Sequence, residues 1–113
     1  PTYAGDLAAV VLQLLQRYQQ QGSLPYGLYH LAAQPALSWY QFALAIFASV
    51  GSKGSVQPIS SAQRRQVAQV SAAQRPPNSV LDSSLSLQQL GIRLPGWKQA
   101  VSELATTRMA DGQ

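Results

Sequence analysis

The chain has no cysteine. That excludes a disulfide framework, thiolate zinc sites and thiol chemistry, and it is compatible with the cytosol. There is a single histidine, His30, too few for a metal cluster. Charge is scarce: 11% of the 113 residues, where an ordinary soluble domain carries about a quarter. Gln and Ser supply the polarity instead, and a surface so poor in charge suggests that part of it faces another protein surface. No apolar run approaches the ~20 residues of a membrane span, and the first residues lack the basic stretch of a signal peptide. The net charge is +4, from 8 Lys and Arg against 4 Asp and Glu, and Arg64-Arg65 is the only adjacent pair. Nucleic-acid binding favours clustered cations with aromatics between them, so neither nucleic acid nor membrane is an expected partner.

Hydrophobic residues make up 46% of the chain, enough for a core, and the length fits one domain or a piece of one. The sequence opens Pro1-Thr2-Tyr3 without Met, which suggests an excised or processed start. Asp6 to Gln21 reads as a first helix, with Asp6 at its positive end and Gly22 as its stop. Leu7, Val10, Val11, Leu12, Leu14 and Leu15 cover most of its circumference. A helix apolar nearly all round is normally buried on more than one side. It either packs within its own small core or has lost a neighbour.

Further along, Gly27 to Ala32 reads as a short strand closed by Pro35. Ser38 and Gln41 have capping-box spacing, and Trp39, Ala43, Ile46, Phe47 and Val50 form an apolar stripe that ends at Gly51. Val56 to Ile59 suggests a brief second strand, and Ser60 to Arg75 a helix turn followed by loop. Asp82 or Ser83 caps a short helix that Gly91 closes. A last helix runs from about Trp97 to Thr107 with Trp97, Val101 and Leu104 on one face, and the polar tail from 108 to 113 is expected to fray. Trp39, Phe42, Phe47, Trp97 and His30 are assigned to the core. The order of helices and strands implies a mixed, helix-rich α/β layer.

No self-sufficient reaction centre is legible. Gly51 and Gly54 follow a helix and lack a third glycine, so they do not form a phosphate loop. The most informative local feature is Arg75-Pro76-Pro77-Asn78-Ser79. Two prolines exclude helix there, and the segment carries a fixed cation, an amide and a hydroxyl. Arg75 can grip phosphate oxygens bidentately, while Asn78 and Ser79 can hydrogen-bond sugar or base groups.

Six segments, in order, resemble the C-terminal part of the dTDP-4-dehydrorhamnose reductases of the extended short-chain dehydrogenase/reductase superfamily. They are Pro1-Thr2-Tyr3-Ala4-Gly5-Asp6-Leu7-Ala8, Gly27-Leu28-Tyr29-His30-Leu31-Ala32, Ser38-Trp39-Tyr40-Gln41-Phe42-Ala43, Pro58-Ile59, Arg75-Pro76-Pro77-Asn78-Ser79-Val80-Leu81-Asp82 and Gly91-Ile92-Arg93-Leu94-Pro95-Gly96-Trp97. The chain departs from the family's pattern at Gln74, where a first Arg is usual. It departs again at Gln69 to Ala72 and at Ala33 to Ala36, which lack the customary prolines and glycines respectively.

The resemblance implies reduction of a 4-keto nucleotide sugar with NADPH or NADH bound by an N-terminal Rossmann domain. Magnesium is possible in the family, a homodimer is possible, and the location is cytoplasmic. It also implies a Tyr-x-x-x-Lys pair, which is missing: the residues four after Tyr3, Tyr18, Tyr26, Tyr29 and Tyr40 are Leu7, Gly22, His30, Ala33 and Leu44. Residues 1–113 are therefore expected to form one substrate-binding fragment, inactive alone and binding no cofactor alone. Arg75, Asn78 and Ser79 would face a dTDP-sugar, and the helix within residues 1–22 would pack on the missing Rossmann part. The alternative is a stand-alone interaction module that docks through the same helix.

Overall fold

A computed structural model describes residues 1–68 and 76–110. The chain divides into two compact units, one formed by Pro1–Ala36 with Val80–Gln113 and the other by Leu37–Ser79.

In the first unit, α1 spans Ala4–Gln21. Tyr3 at its N-cap makes no side-chain cap bond, but Asp6 places a negative charge in the first turn. Gly22 ends the helix at φ 72°, a left-handed conformation that costs glycine little, and its N–H donates to the Tyr18 carbonyl oxygen at 2.8 Å. Only Val10 is fully buried in α1; Asp6, Leu14 and Arg17, on the same face, are half-buried.

A short stretch beginning at Ser84 opens into a π-helical turn, Ser86–Leu90, closed by Gly91 at φ 65°. The Arg17 guanidinium donates to the Leu90 carbonyl oxygen, a terminal acceptor that the turn itself leaves without a partner. α4 then spans Trp97–Ala110, three residues beyond the expected end. Its inward face carries Trp97, Ala100 and Ala105, while Leu104 is half exposed, so the buried stripe is rotated from the one read off the sequence. Leu90, Ile92 and Leu94 complete this core with Val10 and Ala33.

Between α1 and Ala36 the expected strand at Gly27–Ala32 does not form, and neither does the one at Val56–Ile59; no strand occurs among the described residues. The observed architecture is the helix-rich part of the α/β expectation. The reason is that a strand exists only with a ladder partner. In the first unit, side chains serve the backbone instead. The Ala32 N–H donates to Ser83 Oγ at 3.0 Å and the Ala33 N–H to Thr2 Oγ1 at 3.2 Å. Ser86 Oγ, wholly buried, donates to the His30 carbonyl oxygen at 2.6 Å. The Trp97 indole N–H donates to the Pro35 carbonyl oxygen at 2.7 Å. His30 itself is exposed, which corrects its assignment to the core: its backbone is anchored and its imidazole is not enclosed.

In the second unit, α2 spans Trp39–Ser49 and carries the full capping box. Ser38 Oγ accepts from the Gln41 N–H, and Gln41 Oε1 accepts from the Ser38 N–H. Gly51, at φ 63°, follows its last turn, and the Ser52 N–H donates back to the Phe47 carbonyl oxygen. Trp39 is 78% exposed and meets Phe42 edge-on at 6.3 Å, so Trp39 is not a core residue of this chain; Phe42 and Phe47 are half-buried. α3, Ser61–Ala68, is held at its start by a reciprocal pair between Ser60 and Gln63. Every side chain from Ser61 to Val67 is exposed.

Trp97 combines burial with a long-range hydrogen bond, and the two contributions can be separated. Trp97→Phe leaves the Pro35 carbonyl without that donor and should cost about 1–3 kcal/mol. Trp97→Ala removes the packing as well and should cost about 3–5 kcal/mol. Urea unfolding checks both; a Trp97→Phe midpoint equal to that of the parent would assign the whole effect to packing.

Candidate functional site

The segment that the sequence singles out runs along the end of the second unit and into the first. Arg75 lies outside the described residues. Asn78 and Ser79 are exposed, on a non-helical stretch that also holds Pro76 and Pro77. The prolines fix φ and withhold donors, so this stretch stays out of any helix and presents its polar side chains outward.

Past Val80 the same segment enters the first unit and reaches Asp82. Asp82 Oδ1 accepts from the Ser84 N–H at 2.8 Å, capping the short helical stretch that follows. That backbone bond, with a second from the Ser84 side chain, holds the carboxyl below its ordinary value near 3.8; slight desolvation opposes the shift and the nearby His30 adds to it. Ser83 Oγ instead accepts from the Ala32 N–H, which settles the capping alternatives in favour of Asp82.

Asp82, Ser83 and Ser84 line a depression of about 200 Å³ with Gln34, Arg93 and Leu94. It offers guanidinium donors, hydroxyls and one carboxylate beside an apolar wall. Arg93 was not singled out by the sequence reading, although its position was legible: Ile92 and Leu94 on either side are buried, which turns Arg93 outward. A second depression, of about 390 Å³, runs along the polar side of α1 and is lined by Gln13, Gln16, Arg17, Gln20 and Gln21. Those spacings of three and four residues put the amides on one helix face.

A nicotinamide dinucleotide needs a glycine turn between a strand and a helix, where the backbone can approach the pyrophosphate. Gly54 is the nearest candidate, but it follows α2, and a Cβ placed there would sit 2.5 Å from Phe47 Cε1. Its space is already taken by a side chain, so these residues do not fit the cofactor and no hydride step is derived from them. Among the described residues no three His, Asp or Glu side chains come together as a metal site. No described helix is long and apolar enough to cross a membrane.

The other notable surface is the second face of α1. Leu7, Val11, Leu15 and Tyr18 recur at intervals of four and three, and all are 40–55% exposed. With Leu12 at 60% they make an apolar stripe beside the one that Val10 buries. Polar groups lining two depressions and an exposed apolar stripe on α1 are the candidate recognition surfaces of this helix-rich chain.

The chain belongs to the RmlD substrate binding domain family, which matches residues 1–109. Among curated relatives, a dTDP-4-dehydrorhamnose reductase of Aggregatibacter actinomycetemcomitans is 32% identical over 105 residues, covering 92% of this chain and 36% of that protein. The spore coat polysaccharide biosynthesis protein SpsK of Bacillus subtilis is 32% identical over 108 residues, covering 96% and 34%. A dTDP-4-dehydrorhamnose reductase of Sinorhizobium fredii is 29% identical over 118 residues, covering all of this chain and 38% of its own length. The chain thus spans about a third of the length of the curated relatives it matches. No solved structure matches it.

The Asp82 cap gives a pH signature. A carboxyl held below its unfolded value stabilises the fold above about pH 3.8, and the contribution is lost as pH falls through the lower native value. Asp82→Asn should therefore melt below the parent at pH 7, and the gap should close under acid conditions. Thermal unfolding between pH 7 and pH 2.5 checks this; a gap independent of pH would assign the effect to shape alone.

Proposed function

We propose that this chain is the substrate-binding part of a nucleotide-sugar reductase of the dTDP-4-dehydrorhamnose type, and that it works only when joined to a nucleotide-binding part. The observation that carries the reading is the family match over residues 1–109, together with relatives about three times as long whose names state the activity. In this reading the chain supplies substrate recognition. Arg75 neutralises the sugar diphosphate, and Asn78 and Ser79 hydrogen-bond the nucleoside or sugar. NADPH or NADH, any magnesium and the Tyr-x-x-x-Lys proton donor belong to the rest of the enzyme. The class of the whole protein is α/β, with its sheet in the Rossmann part, and residues 1–113 act as one substrate-binding domain of a cytoplasmic enzyme, with a homodimer possible.

The exposed stripe of α1 supports the pairing. Four large apolar side chains at helical spacing are a face suited to being covered, and because each is already about half covered, full burial of each adds roughly 1 kcal/mol. A stand-alone module docking elsewhere through this face is the second reading, and the same stripe motivates it.

Three measurements test the reading. The 113-residue chain alone should show no reduction of a dTDP-4-keto sugar with NADPH or NADH, and the full-length protein should show it; activity in the isolated chain would sink the reading. In the full-length protein, Arg75→Ala should raise KM about tenfold or more with a smaller change in kcat, as expected for loss of a charge-assisted bond. Unchanged KM and kcat would remove Arg75 from the site. Val11→Glu with Leu15→Glu should destabilise the full-length protein far more than the isolated chain if α1 packs within the enzyme.

A further inference from the structure

The charge of this chain is unevenly divided. Leu37–Ser79 contains Lys53, Arg64, Arg65 and Arg75 and no acidic residue, so the second unit carries the whole net charge of +4. In the first unit Arg17, Arg93, Lys98 and Arg108 are balanced by Asp6, Asp82, Glu103 and Asp111. No carboxylate within the second unit can neutralise its cations.

Two of those cations sit on an unusual element. α3 spans eight residues, and every side chain from Ser61 to Val67 is exposed. A helix this short gains little from its own hydrogen bonds, and this one has no buried apolar face among those residues. What holds its start is the Ser60–Gln63 pair, with bonds of 2.8 and 3.1 Å. The capping serves a helix that presents Arg64 and Arg65 to solvent. Lys53 is likewise exposed, on the loop after α2.

Adjacent helical residues point about 100° apart, so Arg64 and Arg65 do not close together on one phosphate. They fit a field better than a clamp. Fixed cations with no counter-charge in their own unit raise the local concentration of an anion and speed its approach, over a range that salt shortens to about 10 Å at 0.1 M. We propose that α3, through Arg64 and Arg65 and with Lys53, is an electrostatic steering surface for the diphosphate end of the nucleotide-sugar substrate. It sets how fast that ligand arrives, while Arg75 is the contact that holds it. This rests on the substrate reading above and adds residues that the reading does not need.

The test is stopped-flow binding of thymidine diphosphate to the full-length protein in 20 mM and 300 mM NaCl. Arg64→Gln with Arg65→Gln should lower the association rate about three- to tenfold at low salt, leave the dissociation rate unchanged, and match the parent at high salt. Lys53→Gln, outside α3, should lower it by a smaller factor with the same salt dependence, which guards against a trivial loss of the helix. Equal association rates for the parent and the double variant at low salt would overturn the steering role and leave the substrate reading standing. A parent protein that does not bind thymidine diphosphate would overturn both. Tighter binding of a mixed-sequence single-stranded oligonucleotide, lost in the double variant, would make α3 a nucleic-acid surface and overturn the proposal.

Discussion

The first unit depends on a pair of hydrogen bonds that hold an irregular segment against a helical core. The Trp97 indole reaches the Pro35 carbonyl oxygen across 62 residues of sequence, and Ser86 reaches that of His30 across 56. Both donors are buried, and a buried donor without its acceptor is costly. The segment before Ala36 has no strand neighbour, so these side chains replace the ladder that would otherwise satisfy it. The core that supports them is small. Leu90, Ile92 and Leu94 pack with Ala100, Ala105 and Val10, and little else is fully enclosed.

A small core explains the surface. Leu7, Val11, Leu12, Leu15 and Tyr18 on α1 remain open because one unit of this size has only one side to offer the helix. The poverty of charge belongs to the same picture: with 11% charged residues, Gln, Ser and apolar side chains make up most of the surface.

Much of what is legible in the sequence rests on local signals whose physics is short-ranged. The capping box at Ser38, the stops at Gly22, Gly51 and Gly91 and the burial of Trp97 were legible because a cap, a left-handed turn and an apolar stripe each involve residues a few positions apart. Trp39 and His30 were misassigned for the opposite reason. Both sit in patterns that look enclosed, but enclosure depends on what lies across from them. The sequence singles out Arg75, Asn78 and Ser79 as candidates; the separate depression that gathers Arg93, Ser84 and Gln34 is not legible there, because it joins residues about 50 positions apart.

By itself, then, the sequence determined α1, α2 and α4, the capping box at Ser38, the family resemblance and the concentration of positive charge between Leu37 and Ser79, all of which are local or additive properties. Tertiary structure alone decided which faces of those helices are covered. It decided that Gly27–Ala32 is held by side chains and not by a sheet, that Asp82 and not Ser83 caps its helical stretch, and that α3 stands exposed with Arg64 and Arg65 outward. The physical reason is that burial and hydrogen-bond partnership belong to pairs of residues, and for these residues the partner lies far along the chain.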